Sequence, residues 1–322
     1  AIQILPFFDS ANNELDPTYN WGYNPSNFNV LEGAYSSDPT HGEVRIEEFK
    51  QTVKGLAEGG MRVIMDVVYN HVNAASSSNF NLIVPGYYFR YNANGSLSNG
   101  SGCNNDTASE RPMFSKFIVD SVSFWASEYK IKGFRFDLMG LIDTGTMNAV
   151  KAALNAIDPD IVVYGEPWAA ASTATTATMS TTGQVYSSLV GVGAFNDAGR
   201  NGIRGENSWS GNQYGWMQKG EADNLEGSFI NRVKGMMAGM TGSYYDYAQW
   251  DPSKTVNYAS CHDNLTLYDQ LSGTVSPSDA PKASVAVNST VLFSQGIPFI
   301  QGGEEIMRSK HADEDDLPET YY

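Results

Sequence analysis

The sequence predicts an α/β fold, a (β/α)8 TIM barrel that is incomplete because its first strand is missing. Short apolar segments alternate with segments of helical periodicity, which is typical of parallel βαβ units. The apolar segments lack the polar alternation of a sheet with one solvated face, so both faces of the sheet should be buried. There are seven such segments, one fewer than a closed barrel requires, and a doubly wound open sheet is the alternative.

The seven predicted strands are short and rich in β-branched or aromatic residues, as buried strands usually are. In chain order they are Ile2–Leu5, Arg62–Val68, Gly133–Phe136, Ile161–Tyr164, Val190–Phe195, Val256–Ala259 and Pro298–Ile300. Because the first strand begins almost at residue 1, we expect the chain to be a fragment of a longer protein.

Apolar residues at helical spacing predict three helices between these strands. The apolar stripes are Ile46-Phe49-Val53-Leu56, Ile118-Val122-Trp125-Tyr129 and Met147-Val150-Leu154. Gly59 should end the first helix, and Thr144 or Thr146 should cap the third, which Asp158 should close. A weaker pattern over Phe229–Met240 predicts a fourth helix.

A long insertion, residues 72–113, separates the second and third predicted strands. Loops of this length are usually functional or disordered, and the aromatic residues at positions 87–91 argue against disorder. No linker divides the chain, so we expect one partial barrel domain over residues 1–310. Residues 311–322 should form an acidic tail or the start of a truncated C-terminal region.

The composition excludes several classes of partner. The 20 Lys and Arg residues are outnumbered by 36 Asp and Glu residues, so the net charge of −16 argues against binding nucleic acid or an anionic membrane surface. No apolar run reaches the roughly 20 residues of a membrane-spanning helix. Cys103 and Cys261 are too few for a disulfide framework and lack metal-site spacing. The abundant Ser, Thr, Asn, Gly and Tyr suit a neutral polar ligand.

Polar residues collect directly after four of the predicted strands. The groups are Asp66 with Asn70 and His71, Arg135 with Asp137, Glu166 with Trp168, and His262 with Asp263. In α/β barrels the carboxyl ends of the strands converge on one face, where the active site lies. Asp137 and Glu166 are about one βα unit apart, so they should lie on adjacent strands. Arg135 should share a face of its strand with Asp137, because side chains alternate with period 2.

Converging carboxylates are the catalytic groups that most glycoside hydrolases use. A retaining glycosidase needs an ionised nucleophile and a protonated acid, with carboxyl groups about 5–5.5 Å apart. Arg135 should keep Asp137 ionised. Glu166, which precedes a proline and a tryptophan, should lie in drier surroundings and keep its proton. Each such residue alone is more often a helix cap or a structural residue. Their joint occurrence, with Asp263 as a third acid, favours a hydrolase.

Four segments resemble the four short sequence regions of the α-amylase superfamily of glycoside hydrolases, in the family's order. They are Asp66–His71, Gly133–Asp137, Tyr164–Glu166 and Cys261–Asn264. Tyr19–Pro25 narrows the resemblance to type I pullulanases, which usually have Asp where this chain has Asn24. Asn99–Cys103, Ala108–Arg111 and Gln301–Glu305 are similar to that subfamily as well. The resemblance covers the chain from residue 1 to about residue 310.

The resemblance implies a role for each matching residue. Asp137 corresponds to the catalytic nucleophile, Glu166 to the general acid/base, and Asp263 to the stabiliser of the transition state. The implied substrate-binding residues are Tyr23, His71, Arg135 and His262 around the −1 sugar, with Trp21 and Trp168 as walls for neighbouring glucose units. Asp66 and Asn70 are expected to support the site from behind.

The implied reaction is retaining hydrolysis of α-1,6-glucosidic branch linkages in pullulan, amylopectin or related α-glucans. An α-1,4-acting neopullulanase or α-amylase is the first alternative, because it would use the same acids. A non-catalytic glucan-binding barrel is the second, and it predicts decayed acids. The chemistry requires no cofactor, and structural Ca2+ is frequent in the superfamily, although the ligands are unassigned. The resemblance also implies that the first barrel helix is absent and that residues 72–113 follow barrel strand 3. Substrate and composition favour secretion or a cell-surface location over the cytoplasm.

Overall fold

The computed structural model describes residues 1–16, 18–208, 211–212, 214–219, 228–240 and 251–310. The chain forms two compact units, residues 1–192 and 193–322, which meet in sequence between Val192 and Gly193. The predicted acidic tail over residues 311–322 lies outside the described residues.

The first unit contains a parallel sheet of four strands and an antiparallel hairpin. Its strands are β1 (Ile2–Ile4), β2 (Phe8–Ser10), β3 (Pro25–Leu31), β4 (Val63–Val67), β5 (Gly133–Phe136) and β6 (Val162–Gly165). Its helices are α1 (Gly42–Glu58), α2 (Asn79–Ile83), α3 (Pro112–Glu128), α4 (Thr144–Ile157) and α5 (Thr182–Ser187). Strands β1, β4, β5 and β6 pair in parallel in that order, so the first four predicted strands are present within one residue at each end.

The hairpin of β2 and β3 was not predicted from the sequence. β3 carries Ser and Asn residues and begins with a proline, and the pairing has register shifts on both sides of Asp9. These features weaken the period-2 signal on which a strand prediction depends. The hairpin brings the loop of residues 11–24, which carries the Tyr19–Pro25 segment, to this unit.

The register of the parallel sheet aligns residues that carry charge. Asp66 on β4 pairs with Arg135 on β5, and Arg135 pairs with Tyr164 on β6. Every residue of β4 and β5 is buried, in agreement with their continuous apolar pattern. Asp66 and Arg135 are therefore charged residues in a buried apolar sheet, and other protein groups must supply their hydrogen-bond and ion-pair partners.

The three predicted helices are confirmed as α1, α3 and α4. Gly59 follows the last residue of α1, as expected, and Asp158 follows the last residue of α4 with an extended backbone. The predicted N-cap of α4 is wrong. The Asp143 carboxylate accepts a hydrogen bond from the Thr146 N–H at 2.9 Å, so Asp143 is the cap. Asp is a strong capping residue, and Asp143 lies one residue before Thr144, the first of the two predicted caps.

The insertion of residues 72–113 is ordered and packs on α3. It contains α2 and isolated bridges that join Phe89 to Thr107 and His71 to Asp106. The Phe80 ring contacts the Tyr88 ring at 4.8 Å and the Phe114 ring of α3 at 5.5 Å, both measured between centroids. Its aromatic residues thus build a small core of their own, which accounts for the order of a long loop.

The second unit contains a parallel sheet of three strands, of which the first begins at the boundary. Its strands are β7 (Val192–Phe195), β8 (Asn207–Ser208), β9 (Gly211–Asn212), β10 (Thr255–Asn257) and β11 (Ile297–Pro298). Its helices are α6 (Asp197–Arg204), α7 (Trp216–Lys219), α8 (Ser228–Met237), α9 (Leu267–Ser272) and α10 (Ala280–Phe293). β10 pairs in parallel with both β7 and β11. α8 confirms the weak helical pattern, whereas α10 was missed because its exposed face carries apolar residues such as Phe293.

Candidate active site

The buried guanidinium of Arg135 is the centre of the site in the first unit. Its Nη1 atom lies 2.8 Å from Asp66 Oδ1 and 3.1 Å from Asp137 Oδ1, and its Nη2 atom lies 2.5 Å from Glu166 Oε1. Burial opposes the positive charge, but the three carboxylates outweigh it and raise the pKa of Arg135 well above its ordinary value. Arg135 and Asp137 share one face of β5, as predicted.

Asp137, the predicted nucleophile, directly follows β5 and is held on two sides. Asn70 Nδ2 donates hydrogen bonds to Asp137 Oδ2 at 2.7 Å and to the Asp137 carbonyl oxygen at 2.8 Å. Arg135 Nη1 donates to the other oxygen, Asp137 Oδ1, so both carboxylate oxygen atoms have a donor. The Asp137 side chain is 13% exposed, so solvent and ligand can reach it. Asn70 therefore contacts the predicted nucleophile directly, which is compatible with a supporting role.

Glu166, the predicted general acid, lies in a more polar environment than its sequence neighbours suggested. Its Oε1 atom contacts Arg135, and its Oε2 atom accepts a hydrogen bond from the Leu138 N–H at 2.9 Å. Leu138 has a positive φ of 38°, an unusual conformation for a leucine. Both contacts favour an ionised carboxylate. The role of Glu166 as general acid stays a prediction, and it requires a proton on this carboxyl group.

A chain of hydrogen bonds supports Arg135 from the side of Asp66. The fully buried Asp66 carboxylate accepts hydrogen bonds at Oδ2 from the Tyr23 hydroxyl at 2.7 Å and from Gln3 Nε2 at 3.2 Å. Gln3 Oε1 in turn accepts from the Tyr164 hydroxyl at 2.6 Å. Burial raises the pKa of Asp66 to about 7, although Arg135 lowers it. Sequence reasoning did not identify Gln3 and Tyr164 as members of this chain. The one indication was that each carries a polar group inside a predicted apolar strand.

Both ring nitrogens of His71 contact protein oxygen atoms. Nδ1 lies 2.6 Å from Asn70 Oδ1, and Nε2 lies 2.9 Å from the Tyr23 carbonyl oxygen. Burial lowers the pKa of His71. The Asp137 charge and the hydrogen bond to the Tyr23 carbonyl oxygen offset only part of this shift. His71 thus braces Asn70 against Tyr23. A hydrogen bond from His71 to a sugar hydroxyl would require one of these contacts to open.

Three predicted aromatic residues lie on segments that border the carboxylates. The rings of Trp21 and Tyr23 are arranged edge to face with centroids 6.5 Å apart, and Arg135 Cζ lies 5.8 Å from the Tyr23 centroid. Trp168 is half-buried. A Cβ atom on Gly140 would lie 2.5 Å from the Trp168 carbonyl group, so only glycine lets these two loops approach.

A buried carboxylate in the insertion, not singled out from the sequence, anchors the loop after β6. Asp106 accepts four hydrogen bonds, from the Gly100 N–H at 2.5 Å, the Ser98 hydroxyl at 2.7 Å, the Ser101 N–H at 3.0 Å and the Thr173 hydroxyl at 3.1 Å. Burial raises the pKa of Asp106, but these donors outweigh burial and lower it. Thr173 belongs to the loop that begins with Trp168, so Asp106 ties that loop to the insertion.

His262 and Asp263 belong to the second unit, in the loop that follows β10. His262 Nε2 lies 3.5 Å from Asp263 Oδ2, and 43% of the Asp263 side chain is exposed. The Lys310 ammonium donates to the carbonyl oxygens of His262, at 2.6 Å, and of Asn264, which adopts a positive φ of 60°. Lys310, which sequence reasoning did not single out, thus holds the backbone of this loop.

The arrangement in the first unit suits acid and nucleophile chemistry. Asp137 and Glu166 contact the same guanidinium through different nitrogen atoms, so both carboxyl groups border one site. Asp137 contacts both Arg135 and Asn70, and its side chain is reachable from solvent. Glu166 has the position of a second carboxyl group but needs a proton to act as the acid.

The chain is similar to pullulanases over almost its whole length. It is 36% identical over 324 residues to the pullulanase of Bacillus subtilis, covering 96% of this chain and 43% of that protein. The pullulanase of Klebsiella pneumoniae is 33% identical over 337 residues, covering 91% of this chain and 30% of that protein. The crystal structure of Paenibacillus barengoltzii pullulanase in complex with maltohexaose and α-cyclodextrin matches with a TM-score of 0.87 and 38% identity, covering 96% of this chain and 48% of that one.

The chain spans less than half the length of these relatives. No model of a known protein family matches it. Within the part of the chain that the structure describes, no helix is both long enough and apolar enough to cross a membrane.

Proposed function

Because this chain is homologous to pullulanases of the α-amylase superfamily over 96% of its length, we propose that it carries the catalytic barrel of a debranching glycoside hydrolase. The substrate would be an α-glucan such as pullulan or amylopectin, and the bond an α-1,6-glucosidic branch linkage. The observation that carries this proposal is the shared contact of Asp137 and Glu166 with Arg135. Two carboxyl groups held close together are the requirement for hydrolysis with retention.

The proposed reaction has two steps. Asp137 Oδ attacks the anomeric carbon while Glu166 protonates the departing glycosidic oxygen, which gives a covalent glycosyl-enzyme. Glu166 then removes a proton from water, and the resulting hydroxide displaces Asp137 from the sugar. Asp263 would bind hydroxyl groups of the same sugar in the transition state. Only carboxyl groups take part in these steps, so the proposed chemistry requires no cofactor, and structural Ca2+ is no part of it.

The remaining predicted residues would bind the sugar or hold the catalytic groups in place. Tyr23 would stack on the −1 sugar, with His71 and His262 beside it, and Trp21 and Trp168 would flank neighbouring glucose units. Asp66 and Asn70 would hold Arg135 and Asp137 in place, which their contacts support. The domain would be a barrel over residues 1–310 without its first strand and helix, and with the insertion of residues 72–113 after its third strand.

Product analysis after incubation of the purified protein with pullulan tests the linkage. Maltotriose as the product is the expected result, because it requires cleavage of α-1,6 bonds. Panose or isopanose would mean that the same acids act on α-1,4 bonds and would overturn the proposed specificity. Retained pullulan binding without any product, from a cooperatively folded protein, would instead indicate a glucan-binding barrel.

A further inference from the structure

Three consecutive side chains in the loop after β10 offer three different donor atoms to one cation. Ligand atoms of Cys261, His262 and Asp263 all lie within 4.8 Å of one another. We propose that these three residues bind a thiophilic divalent cation such as Zn2+, and that the bound cation inhibits the enzyme. The binding site stands on its own geometry, whereas the inhibition rests on the proposed function.

The spacing of the donors matches a tetrahedral metal. Two nitrogen or oxygen ligands at about 2.0–2.2 Å from tetrahedral zinc lie roughly 3.4 Å from each other. His262 Nε2 and Asp263 Oδ2 are 3.5 Å apart, so this pair already has the spacing of two zinc ligands. A thiolate at about 2.3 Å from the metal would lie slightly farther from the other two ligands. The Cys261 sulfur lies within 4.8 Å of the other two ligand atoms and would have to approach them more closely to bind the same ion.

The donor set decides which cation is favoured. Soft thiolate ligands favour zinc and monovalent copper, whereas Ca2+ and Mg2+ prefer oxygen ligands alone. Three protein ligands of sulfur, nitrogen and oxygen leave a fourth position of zinc open to water. All three residues are half-buried, and Asp263 is 43% exposed, so a cation can enter from solvent. Within the described residues this is the one group of three such donors.

Two side-chain cations, Lys310 and Arg200, lie near the loop and form contacts of their own. The Lys310 ammonium is bound to the carbonyl oxygens of His262 and Asn264. Arg200 donates to the Tyr258 hydroxyl at 2.7 Å and pairs with Asp197 at 3.1 Å. These positive charges oppose a bound cation. We therefore expect a reversible site rather than a permanent structural one.

Occupation of the site would weaken the contribution of Asp263 to the reaction. A bound zinc ion takes acceptor sites of the carboxylate and neutralises its charge, so the group accepts hydrogen bonds from sugar hydroxyls less strongly. Zinc would thus lower the rate without changing the fold, and a chelator would restore it. The thiol is what distinguishes this loop from an ordinary His-Asp pair, so Cys261 is the residue to change.

The experiment titrates Zn2+ by calorimetry and Co2+ by absorption into the reduced full chain. We expect one equivalent to bind, with a thiolate-to-cobalt charge-transfer band. Cys261→Ala should abolish this band and weaken Zn2+ binding by about 100-fold or more, because even the loss of an outer-shell partner costs about 10- to 100-fold in metal affinity. Cys261→Ser is the second variant, because it keeps the side-chain shape, and it should also abolish the band. Cys103→Ala removes the other thiol, which is exposed, and should leave binding unchanged.

Equal Zn2+ affinity in the Cys261 variants and the unmodified protein would overturn the site. Loss of the band in Cys103→Ala, but not in the Cys261 variants, would also overturn the site, because Cys103 would then be the thiolate that binds cobalt. Pullulan hydrolysis without metal should be the same in Cys261→Ala and the unmodified protein, and only the unmodified protein should be inhibited by Zn2+. If neither protein hydrolyses pullulan, the proposed function fails, while the cobalt band still decides the metal site.

Discussion

Arg135 Nη2 lies 2.5 Å from Glu166 Oε1, so the proposed proton donor is paired with a buried cation. The same guanidinium contacts Asp137 and Asp66 through Nη1. A cation at this distance favours the charged form of a carboxyl group. Asp137 needs that charge to act as a nucleophile, whereas Glu166 must lose it to act as an acid. One arginine therefore assists one step of the proposed reaction and opposes the other until substrate binds.

We first predict that substrate separates Arg135 from Glu166. A bound sugar would bring the glycosidic oxygen to Glu166, and the carboxyl group would turn toward it and away from Arg135. In a crystal structure with a bound maltooligosaccharide, the distance from Arg135 Nη2 to Glu166 Oε1 should exceed 4 Å, while Arg135 keeps its contact with Asp137. An unchanged ion pair in a complex whose glycosidic oxygen contacts Glu166 would contradict this prediction.

The second prediction concerns the division of roles between the two acids. Asp137→Asn should lower kcat for pullulan by about 10⁴- to 10⁶-fold, because the covalent intermediate cannot form. Glu166→Gln should lower kcat by about 10²- to 10⁴-fold. With α-maltotriosyl fluoride, whose leaving group needs no proton, the first step should recover in Glu166→Gln but not in Asp137→Asn. Asp120→Asn, a change at an exposed residue of α3, is the control. An unchanged rate in Asp137→Asn would refute the assignment.

The third prediction is a pH dependence of stability that comes from Asp66. Burial raises its pKa to about 7, whereas an unfolded Asp titrates near 3.9. Between these values the folded state holds a proton that the unfolded state lacks, so the free energy of unfolding falls as pH rises. From pH 5 to pH 7 the loss should be about 2–3 kcal/mol.

Urea unfolding of the unmodified protein and of Asp66→Asn at pH 5 and at pH 7 measures this effect. Asp66→Asn has no titrating group at this position, so its stability should fall by about 2–3 kcal/mol less over the same interval. The comparison uses the difference between the two pH values, which removes any constant effect of the substitution. Parallel pH profiles in the two proteins would mean that Asp66 stays ionised across this range.

The fourth prediction concerns Asp106 as the anchor of the loop that begins with Trp168. Asp106→Ala would leave the N–H groups of Gly100 and Ser101 without their acceptor in a buried position. We expect a loss of about 2–4 kcal/mol of unfolding free energy, since each buried unsatisfied donor costs about 1–3 kcal/mol. KM for pullulan should rise as well, because the loop beside Trp168 loses the Thr173 contact.

Asp120→Ala is the matched control for stability. Asp120 forms an exposed ion pair with Lys116, so its removal should change the free energy of unfolding by less than about 1 kcal/mol. Equal stability and equal KM for Asp106→Ala and Asp120→Ala would show that the loop is held by other contacts.

The positions of the strands and of the acids after them were predictable from local pattern. A buried parallel strand leaves a continuous apolar run, and β4 and β5 lie within one residue of their predicted bounds. The period of two along β5 placed Arg135 and Asp137 on one face, and their ion pair bears this out. Weakly patterned elements were missed, such as the hairpin of β2 and β3 and the helix α10.

The sequence by itself determined which residues carry charge and at which strand ends they stand, because strand periodicity and apolar runs are local properties. Tertiary structure alone decided how those charges are shared. Arg135 lies between carboxylates from three different strands or strand ends, and Gln3 joins Asp66 to Tyr164 across the sheet. Such contacts depend on distances of a few ångström between residues far apart in the chain. The proline and tryptophan after Glu166 therefore suggested a dry acid, whereas the folded chain places a guanidinium against it.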